Sequence, residues 1–185
     1  SMSSFVQAQF KYNKIDFFTA LSYTKTSYQR EGLYKNEVYS EDSYGKGKKV
    51  TFSGIGAKGG FTYKFSGKHL LVANAGYLTK APTLRNTYTN SRENHAIVGD
   101  NSNFDITEEK ITSFDLNYVY RSPIVKARLT GYFTKMQDAN EVSFYYADGI
   151  GGDNTAFVQE ILQDIDKKHL GIEFGIEAQV TPTIK

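Results

Sequence analysis

Residues 169–180 read HLGIEFGIEAQV, and this stretch decides the fold because apolar side chains alternate along it with polar residues or glycine. The apolar positions are Leu170, Ile172, Phe174, Ile176, Ala178 and Val180. A period of two sends successive side chains to opposite faces of an extended strand, whereas helical geometry would mix the two sets. The stretch therefore predicts a β-strand with one apolar and one polar face.

Similar alternation recurs along the rest of the chain. Six further segments show it: residues 5–12, 15–28, 52–65, 69–79, 111–120 and 125–133. Their lengths suit the roughly 9–11 residues that a tilted membrane strand needs. Pro82, Pro123 and Pro182 all fall outside these segments. Proline has no N–H, but outside a strand this interrupts no hydrogen bonds between strands. The sequence therefore predicts an all-β protein, an antiparallel meander of about seven long strands.

Short and long connections alternate between the predicted strands. Residues 13–14, 66–68 and 121–123 are tight turns, whereas the connections at 30–49, 81–108 and 138–167 are long. Short turns on one side of the sheet and long loops on the other are the plan of a partial transmembrane β-barrel. In the third long loop, apolar residues at helical spacing predict a short amphipathic helix over residues 155–166.

The turn lengths also predict how neighbouring strands pair. The predicted pairs are Tyr12 with Ile15, Tyr63 with Leu71, and Tyr118 with Ala127, and the third turn is left open between a two-residue turn and a four-residue loop that suits Pro123. In each of the three hairpins, this register places apolar residues opposite apolar residues, as cross-strand packing requires. We therefore expect the apolar faces of all strands to form one continuous surface.

The composition excludes several classes of protein. Of the 185 residues, 39% are hydrophobic and 15% aromatic, which is too apolar for a disordered chain. Charged residues make up 23% and the mean hydropathy is −0.47, and no apolar run approaches the roughly 20 residues of a membrane-spanning helix. A net charge of +2 without a basic stripe excludes nucleic acid as an expected partner.

The residues that usually carry chemistry are sparse. The chain has no cysteine, and His69, His95 and His169 are scattered, so no thiolate or zinc site is expected. No nucleophile motif occurs, and the pair Glu108 and Glu109 reads as solvated charge. We expect neither an enzyme nor a cofactor.

The two faces of the predicted strands differ in chemistry. Aromatic residues of the apolar face cluster near strand ends, with Tyr12, Tyr63, Phe65, Tyr118 and Tyr120 near the turns and Tyr23, Tyr77 and Phe133 toward the loops. Such clusters are typical of the girdles at which membrane barrels meet the lipid–water interface. Charges on the polar face predict a ladder that lines a lumen, formed by Asp115, Lys126, Arg128, Glu173 and Glu177.

A soluble all-β binding module is the alternative. In a sandwich, the same apolar faces would pack on each other instead of facing lipid. Three features favour the barrel: short turns at one end with long loops at the other, the aromatic clusters and the charged inner face. Size-exclusion chromatography with and without detergent separates the two, because only the sandwich stays monomeric in plain buffer.

Several short motifs resemble one family. The residues Lys80-Ala81-Pro82-Thr83 end an aromatic strand, and after a loop Thr107-Glu108 precede the next one. A strand–turn–strand unit follows, with Arg121-Ser122-Pro123 at its turn. In this order, and with residues 129–134 (LTGYFT), they resemble the barrel of TonB-dependent outer-membrane receptors, in the versions found in Bacteroidota.

The resemblance carries expectations about organisation. Such receptors have a barrel of about 22 strands that encloses a plug domain, and a TonB box. About seven strands without plug or TonB box indicate that residues 3–185 are an internal fragment of the barrel, and residues 1–2 resemble an expression-tag remnant. Two unpaired edges lead us to expect that the isolated fragment self-associates.

The resemblance also implies function and location. The chain would be a segment of a transporter in the outer membrane of a Gram-negative bacterium, importing a scarce nutrient such as a siderophore, vitamin or oligosaccharide. Its partners would be outer-membrane lipid, the TonB energy-transducing complex acting through the missing plug, and a small-molecule or oligosaccharide ligand. The segment itself would contribute barrel wall and ligand-capturing loops.

Two sets of loop residues are candidates for ligand contact. Aromatic rings and a guanidinium that could stack on a ligand are Tyr39, Tyr44, Arg92, Tyr145 and Tyr146. Asp148 and Asp153 flank a glycine-rich turn and are weak calcium candidates, because their spacing does not match an EF-hand loop. No other metal site is expected.

Overall fold

The computed structural model describes residues 1–37, 39–88, 106–148 and 156–179, with backbone alone at 156 and 157. Its main feature is one seven-stranded antiparallel sheet in the order β1-β2-β5-β6-β7-β8-β9. The strands are β1 (Met2–Tyr12), β2 (Ile15–Tyr28), β3 (Glu31–Gly32), β4 (Gly45–Lys46), β5 (Val50–Lys64), β6 (His69–Lys80), β7 (Glu109–Arg121), β8 (Val125–Ala147) and β9 (Ala156–Ala178), with one helix, α1 (Leu84–Thr87). Strands β3 and β4 form a separate small ribbon.

The first two predicted hairpin registers are confirmed. Tyr12 lies opposite Ile15, and Tyr63 lies opposite Leu71. Asn13, the first residue of the β1–β2 turn, has φ of 50°. Asparagine tolerates this left-handed conformation better than most residues, which suits it to a two-residue turn.

In the third hairpin, the predicted strand pairs are wrong by two residues, whereas the four-residue loop that was the alternative is observed, because Arg121 lies opposite Lys126. Tyr118 lies opposite Leu129 rather than Ala127. The turn closes at Ser122, whose amide donates to the Val125 carbonyl at 2.8 Å and whose Oγ accepts from the Val125 amide at 2.9 Å. Because side chains alternate with a period of two, a shift of two residues leaves every side chain on its predicted face.

The predicted helix over residues 155–166 is also wrong. In the structure, β9 begins at Ala156 and pairs with the far half of β8, so that Val142 lies opposite Ile161. The apolar residues there fit helical spacing, but they are β-branched or aromatic in large part and pack equally well on a sheet. Pairing with β8 supplies ladder hydrogen bonds for this segment, and the long loop predicted at 138–167 becomes an extended hairpin.

The sheet is a single layer with two unlike faces. Large apolar side chains of one face, here called the outer face, are exposed, with Ile172 81% and Phe174 68% accessible. The total accessible surface is 13032 Å², against about 9,000 Å² for a compact monomer of this mass. The apolar faces of two sheets do not pack together anywhere in the described residues, so the sandwich alternative is wrong for them.

The opposite face, here called the inner face, is the more crowded. Ala20, Val119 and Asn117 lie on it and are buried, with Val119 only 7% accessible. Cavities of about 440–450 Å³ also follow this face along the strands. Curvature toward the inner face explains both observations, because side chains converge on the concave side of a sheet and diverge on the convex side. In the part of the chain that the structure describes, the one helix has four residues, far fewer than a membrane-spanning helix requires.

Candidate functional site

The inner face carries a hydrogen-bonded polar network across three strands. The Asn74 amide on β6 donates to both carboxylate oxygens of Asp115 on β7, at 2.7 and 3.1 Å. The Asn117 amide donates to the same carboxylate at 3.4 Å, and its oxygen accepts from Thr130 of β8 at 2.7 Å. The network can steady the wall or present polar groups to whatever fills the lumen.

The other predicted ladder residues are only partly brought together. Lys126 and Glu177 lie opposite each other near the turns, with Nζ and Oε1 3.9 Å apart and both side chains exposed. Arg128 and Glu173 share the inner face with them but have no side-chain hydrogen bond or ion pair within the described residues. Asp115 contacts amides instead of the predicted charges, so only Lys126 and Glu177 of the five lie close to each other.

The aromatic ligand candidates lie on two different parts of the sheet edge. Tyr39 and Tyr44 belong to the connection between β2 and β5, where Tyr39 is half-buried and Tyr44 exposed. Tyr145 and Tyr146 lie on the extended part of β8, opposite Val158 and Phe157. Strands β5, β6 and β7 separate the two pairs in the sheet order. Arg92 lies outside the described residues.

The weak calcium candidates gain no support. Asp148 is the turn residue that follows β8, and Asp153 lies outside the described residues. No group of three or more histidine, cysteine, aspartate or glutamate residues that could hold a metal ion is present in the described part of the chain.

The segment after β6 folds back as a small cluster at the loop end of the inner face. Pro82 is fully buried, and its carbonyl accepts a hydrogen bond from the Tyr28 hydroxyl at 3.2 Å. The Tyr28 ring packs at a tilt on Phe52, with centroids 6.2 Å apart. Thr83 caps α1, and the Thr87 hydroxyl donates to the Thr83 carbonyl at 2.8 Å. The Ala-Pro-Thr motif thus anchors α1 at the mouth of the sheet.

Tyr88 directly follows α1 as its C-cap residue. Burial raises the pKa of its phenol, and the nearby backbone of Arg30 opposes that shift only in part. Tyr88 is buried, as is Thr87 before it. The phenol therefore stays neutral over the physiological range, which suits a packing role.

Sequence reasoning missed one cavity, here called the mouth cavity. It has a volume of about 440 Å³ and lies between α1 and the irregular part of β8. The charged and amide side chains that line it include Lys80, Arg85, Glu109, Asn140, Glu141 and Lys167. The one sequence signal was Thr83 after Pro82, a residue type that commonly caps a helix. Nothing in the sequence indicated that residues of β6, α1, β7, β8 and β9 would meet.

These features define a class of protein. A single curved sheet has an apolar outer face, a polar inner face, short turns at one end and long connections at the other, which is the architecture of an outer-membrane β-barrel wall. The model of the family described as TonB dependent receptor-like, beta-barrel, matches residues 1–182, and the chain belongs to this family. The family description is that of a receptor barrel, so the expectation that the chain is not an enzyme is confirmed.

Solved structures show the same fold. Twelve chains match, among them one titled copper transporter OprC, with a TM-score of 0.67 and 16% sequence identity. The match covers 97% of this chain and 27% of that chain, so this chain spans about a quarter of the transporter's length. At this identity, the likeness concerns the fold alone. No curated protein matches the sequence.

Proposed function

We propose that this chain forms part of the wall and outer mouth of a TonB-dependent transporter that imports a scarce nutrient across the outer membrane of a Gram-negative bacterium of the Bacteroidota. The observation that carries the proposal is the pair of unlike faces on one layer. Exposed Ile172 and Phe174 on the outer face are compatible with lipid, whereas the inner face carries the Asp115 network.

In this proposal, the chain supplies only a part of the transporter. Seven strands with open edges at β1 and β9 cannot close at the usual strand tilt. The missing wall and a plug would come from other parts of a longer protein, of which residues 3–185 are an internal piece and residues 1–2 a tag remnant. TonB would act on the plug and not on this segment. The isolated piece would self-associate through its two edges.

Ligand capture would fall to the loop end. Tyr39, Tyr44, Tyr145 and Tyr146 belong to connections or strand ends on that side, and the mouth cavity between α1 and β8 lies at the same end. The ligand classes in this proposal are siderophores, vitamins and oligosaccharides, all too large or too dilute for passive entry. The short turns at the opposite end of the strands, which would face the periplasm, would not contact the ligand.

Site-directed spin labelling in lipid bilayers tests the wall. Single cysteines would replace Leu116, Ile172 and Phe174 on the outer face and Asp115, Arg128 and Glu173 on the inner face. We expect the outer labels to be accessible to oxygen dissolved in lipid and the inner labels to a water-soluble nickel complex. The reverse pattern, or equal access on both faces, would contradict the barrel wall.

Nutrient uptake in cells tests the energy coupling. The complete protein would be expressed with and without a functional TonB, and growth on a limiting nutrient would be compared. We expect growth to require both proteins. Uptake that persists undiminished without TonB would refute the transporter proposal, whatever the labelling shows.

A further inference from the structure

Basic side chains are mostly paired with acids at the loop end of the sheet and mostly unpaired at the turn end. Each short turn has one cation in it or beside it, Lys14, Lys68 or Arg121, and none of these three side chains has a hydrogen bond or ion pair within the described residues. Near the loops, four lysines of β6 to β9 form the ion pairs Lys80–Glu109, Lys110–Asp138, Lys135–Asp166 and Lys167–Glu141. Positive charge is therefore left over mainly at the turn end.

The sheet brings the cations of the turn end into one row, here called the basic row, which consists of Lys14, Lys64, Lys68, Arg121 and Lys126. The Lys64 amide donates to the Lys14 carbonyl at 2.8 Å, and the Arg121 amide donates to the Lys68 carbonyl at 2.7 Å. Lys126 lies directly opposite Arg121 in the β7–β8 ladder. The sequence shows no basic stripe because these residues are far apart in the chain, and only the order of the strands makes them neighbours.

The basic row keeps a surplus of positive charge after its acidic neighbours are counted. The carboxylates of Asp16 and Glu177 lie 2.6 and 3.9 Å from lysines of the row and offset two of its five charges. Farther from the turns on the same face, Arg128 and Glu173 carry opposite charges and leave the balance unchanged. Two cations of the row also lie directly opposite each other, an arrangement that destabilises a sheet unless an anion binds between them.

The basic row belongs to the inner face and not to the face where lipid is expected. Arg121 and Lys126 share the inner face with Asp115, whereas Tyr118 and Tyr120 occupy the outer face at the same end. The turn residues of the row are exposed. The row is therefore placed to meet a partner that approaches the turn end of the lumen, and less well placed to meet lipid headgroups beside the outer face.

The length of the basic row indicates the kind of anion that fits it. From the turn before β2 to β8, the row crosses four strand spacings, or about 19 Å at about 4.8 Å each. That is longer than a single carboxylate or phosphate but matches about six residues of extended polypeptide, at about 3.3 Å per residue. Acidic side chains on one face of such a segment would meet successive cations, and a guanidinium can hold a carboxylate through two hydrogen bonds.

We propose that the basic row binds an acidic, extended segment of a periplasmic protein. The inference rests on the proposed function, which places the short turns in the periplasm, and it adds a partner at the end of the wall opposite to ligand capture. Attraction between charges supplies the specificity, so binding weakens as salt screens the row.

Fluorescence anisotropy on the complete protein in detergent tests the inference. The probe is a labelled peptide of about twelve residues that alternates glutamate with serine, and its analogue has glutamine in place of glutamate. We expect the glutamate peptide to bind at least about tenfold more tightly than the glutamine peptide in about 50 mM salt, and to lose at least about tenfold in affinity in about 300 mM salt. The triple variant Lys68→Gln, Arg121→Gln and Lys126→Gln should weaken binding of the glutamate peptide at least about tenfold.

The matched control is the triple variant Lys110→Gln, Lys135→Gln and Lys168→Gln, which removes the same number of positive charges from the loop end of the outer face. It should leave peptide binding unchanged, because these lysines lie at the opposite end of the strands. All six substituted side chains are at least partly exposed, so both triple variants should fold.

Four results would overturn the inference. They are equal binding of the two peptides, binding that does not fall with salt, equal effects of the two triple variants, and tighter binding of dihexanoylphosphatidylglycerol than of the glutamate peptide. The last result would assign the basic row to anionic lipid. None of them affects TonB-dependent uptake, whereas TonB-independent growth with normal peptide binding would refute the transporter and not the basic row.

Discussion

The outer and inner faces of the same strands differ in where their polar side chains form hydrogen bonds. On the outer face, polar side-chain contacts lie near the two ends, with His69 Nδ1 2.5 Å from the Tyr118 hydroxyl at the turns and Tyr23 3.3 Å from Ser53 toward the loops. Between those ends, the face is apolar. On the inner face, the Asp115 network lies in the middle of the strands. On the outer face, where lipid is expected, hydrogen-bonded polar side chains thus lie near the strand ends. On the inner face, where water or a plug is expected, they lie in the middle of the strands.

The difference in crowding adds to this contrast. A Cβ atom on Gly60 of the inner face would collide with the Phe18 ring and with the Asn74 side chain. On the outer face, a Cβ atom on Gly131 would meet nothing within 4 Å, and Phe10 and Phe17 stack there with ring centroids 4.8 Å apart. The inner face is therefore specified by close contacts, whereas the outer face is specified mainly by hydrophobicity.

A charge in the middle of the outer face should break this contrast most strongly. Leu116→Arg places a cation between the aromatic ends of β7, where lipid is expected. We expect a loss of about 2–4 kcal/mol in the free energy of unfolding, measured by urea titration of the complete protein in bilayers. Thr62→Arg is the matched inner-face control, because Thr62 lies opposite Asp16. A cost for Thr62→Arg equal to that for Leu116→Arg would contradict the assignment of the faces.

Removing the centre of the inner network should have the next largest effect. Asp115→Ala leaves the amides of Asn74 and Asn117 without their shared acceptor. We expect a loss of about 1–2 kcal/mol in the same unfolding measurement. Asp115→Asn retains an acceptor oxygen and should cost less. Equal losses for the two variants would mean that the network contributes through packing and not through hydrogen bonds.

A smaller effect should follow at the mouth, where the inner face meets the loops. Tyr28→Phe removes the hydrogen bond to the Pro82 carbonyl but keeps the ring on Phe52. We expect a cost of about 1 kcal/mol and faster amide exchange in residues 84–87, measured by mass spectrometry. Tyr12→Phe, at the exposed turn end of the outer face, should leave that exchange unchanged. Exchange that is the same in both variants would show that Tyr28 does not anchor α1.

The smallest effect is expected for the exposed pair at the turns. Lys126→Gln removes the partner of Glu177, but Lys126 Nζ and Glu177 Oε1 are 3.9 Å apart and both side chains are exposed. Water and salt screen such a pair, so the free energy of unfolding should change by less than about 0.5 kcal/mol. A loss above 1 kcal/mol would show that this end of the ladder is more important than its exposure indicates.

Local signals predicted the turn half of the molecule well. The β1–β2 and β5–β6 registers follow from turn length and alternation, because each turn fixes which residues meet. For the β7–β8 hairpin, turn length left two turns of the same parity open, and the hydrogen bonds of Ser122 select the four-residue loop. The face of each side chain in β7 and β8 was still predicted correctly, because the face depends only on whether the number of turn residues is odd or even.

The loop half could not be predicted in the same way. The spacing of Phe157, Ile161 and Ile165 suits a helix as well as a strand, and only the presence of β8 beside them decides between the two. Asn86 and Val142 are 56 positions apart and carry no motif, yet the Val142 amide donates to the Asn86 side chain at 3.4 Å. Their meeting depends on a bulge in β8 and on α1 folding back after Pro82.

The amino-acid sequence by itself determined the strand class, the two faces and the short turns, because alternation and turn chemistry act between neighbours in the chain. The tertiary structure alone decided the length of β8 and β9, the composition of the inner network and the existence of the mouth cavity. Each of these depends on backbone or side-chain partners that lie in other strands. Their contact is set by the order and register of the whole sheet.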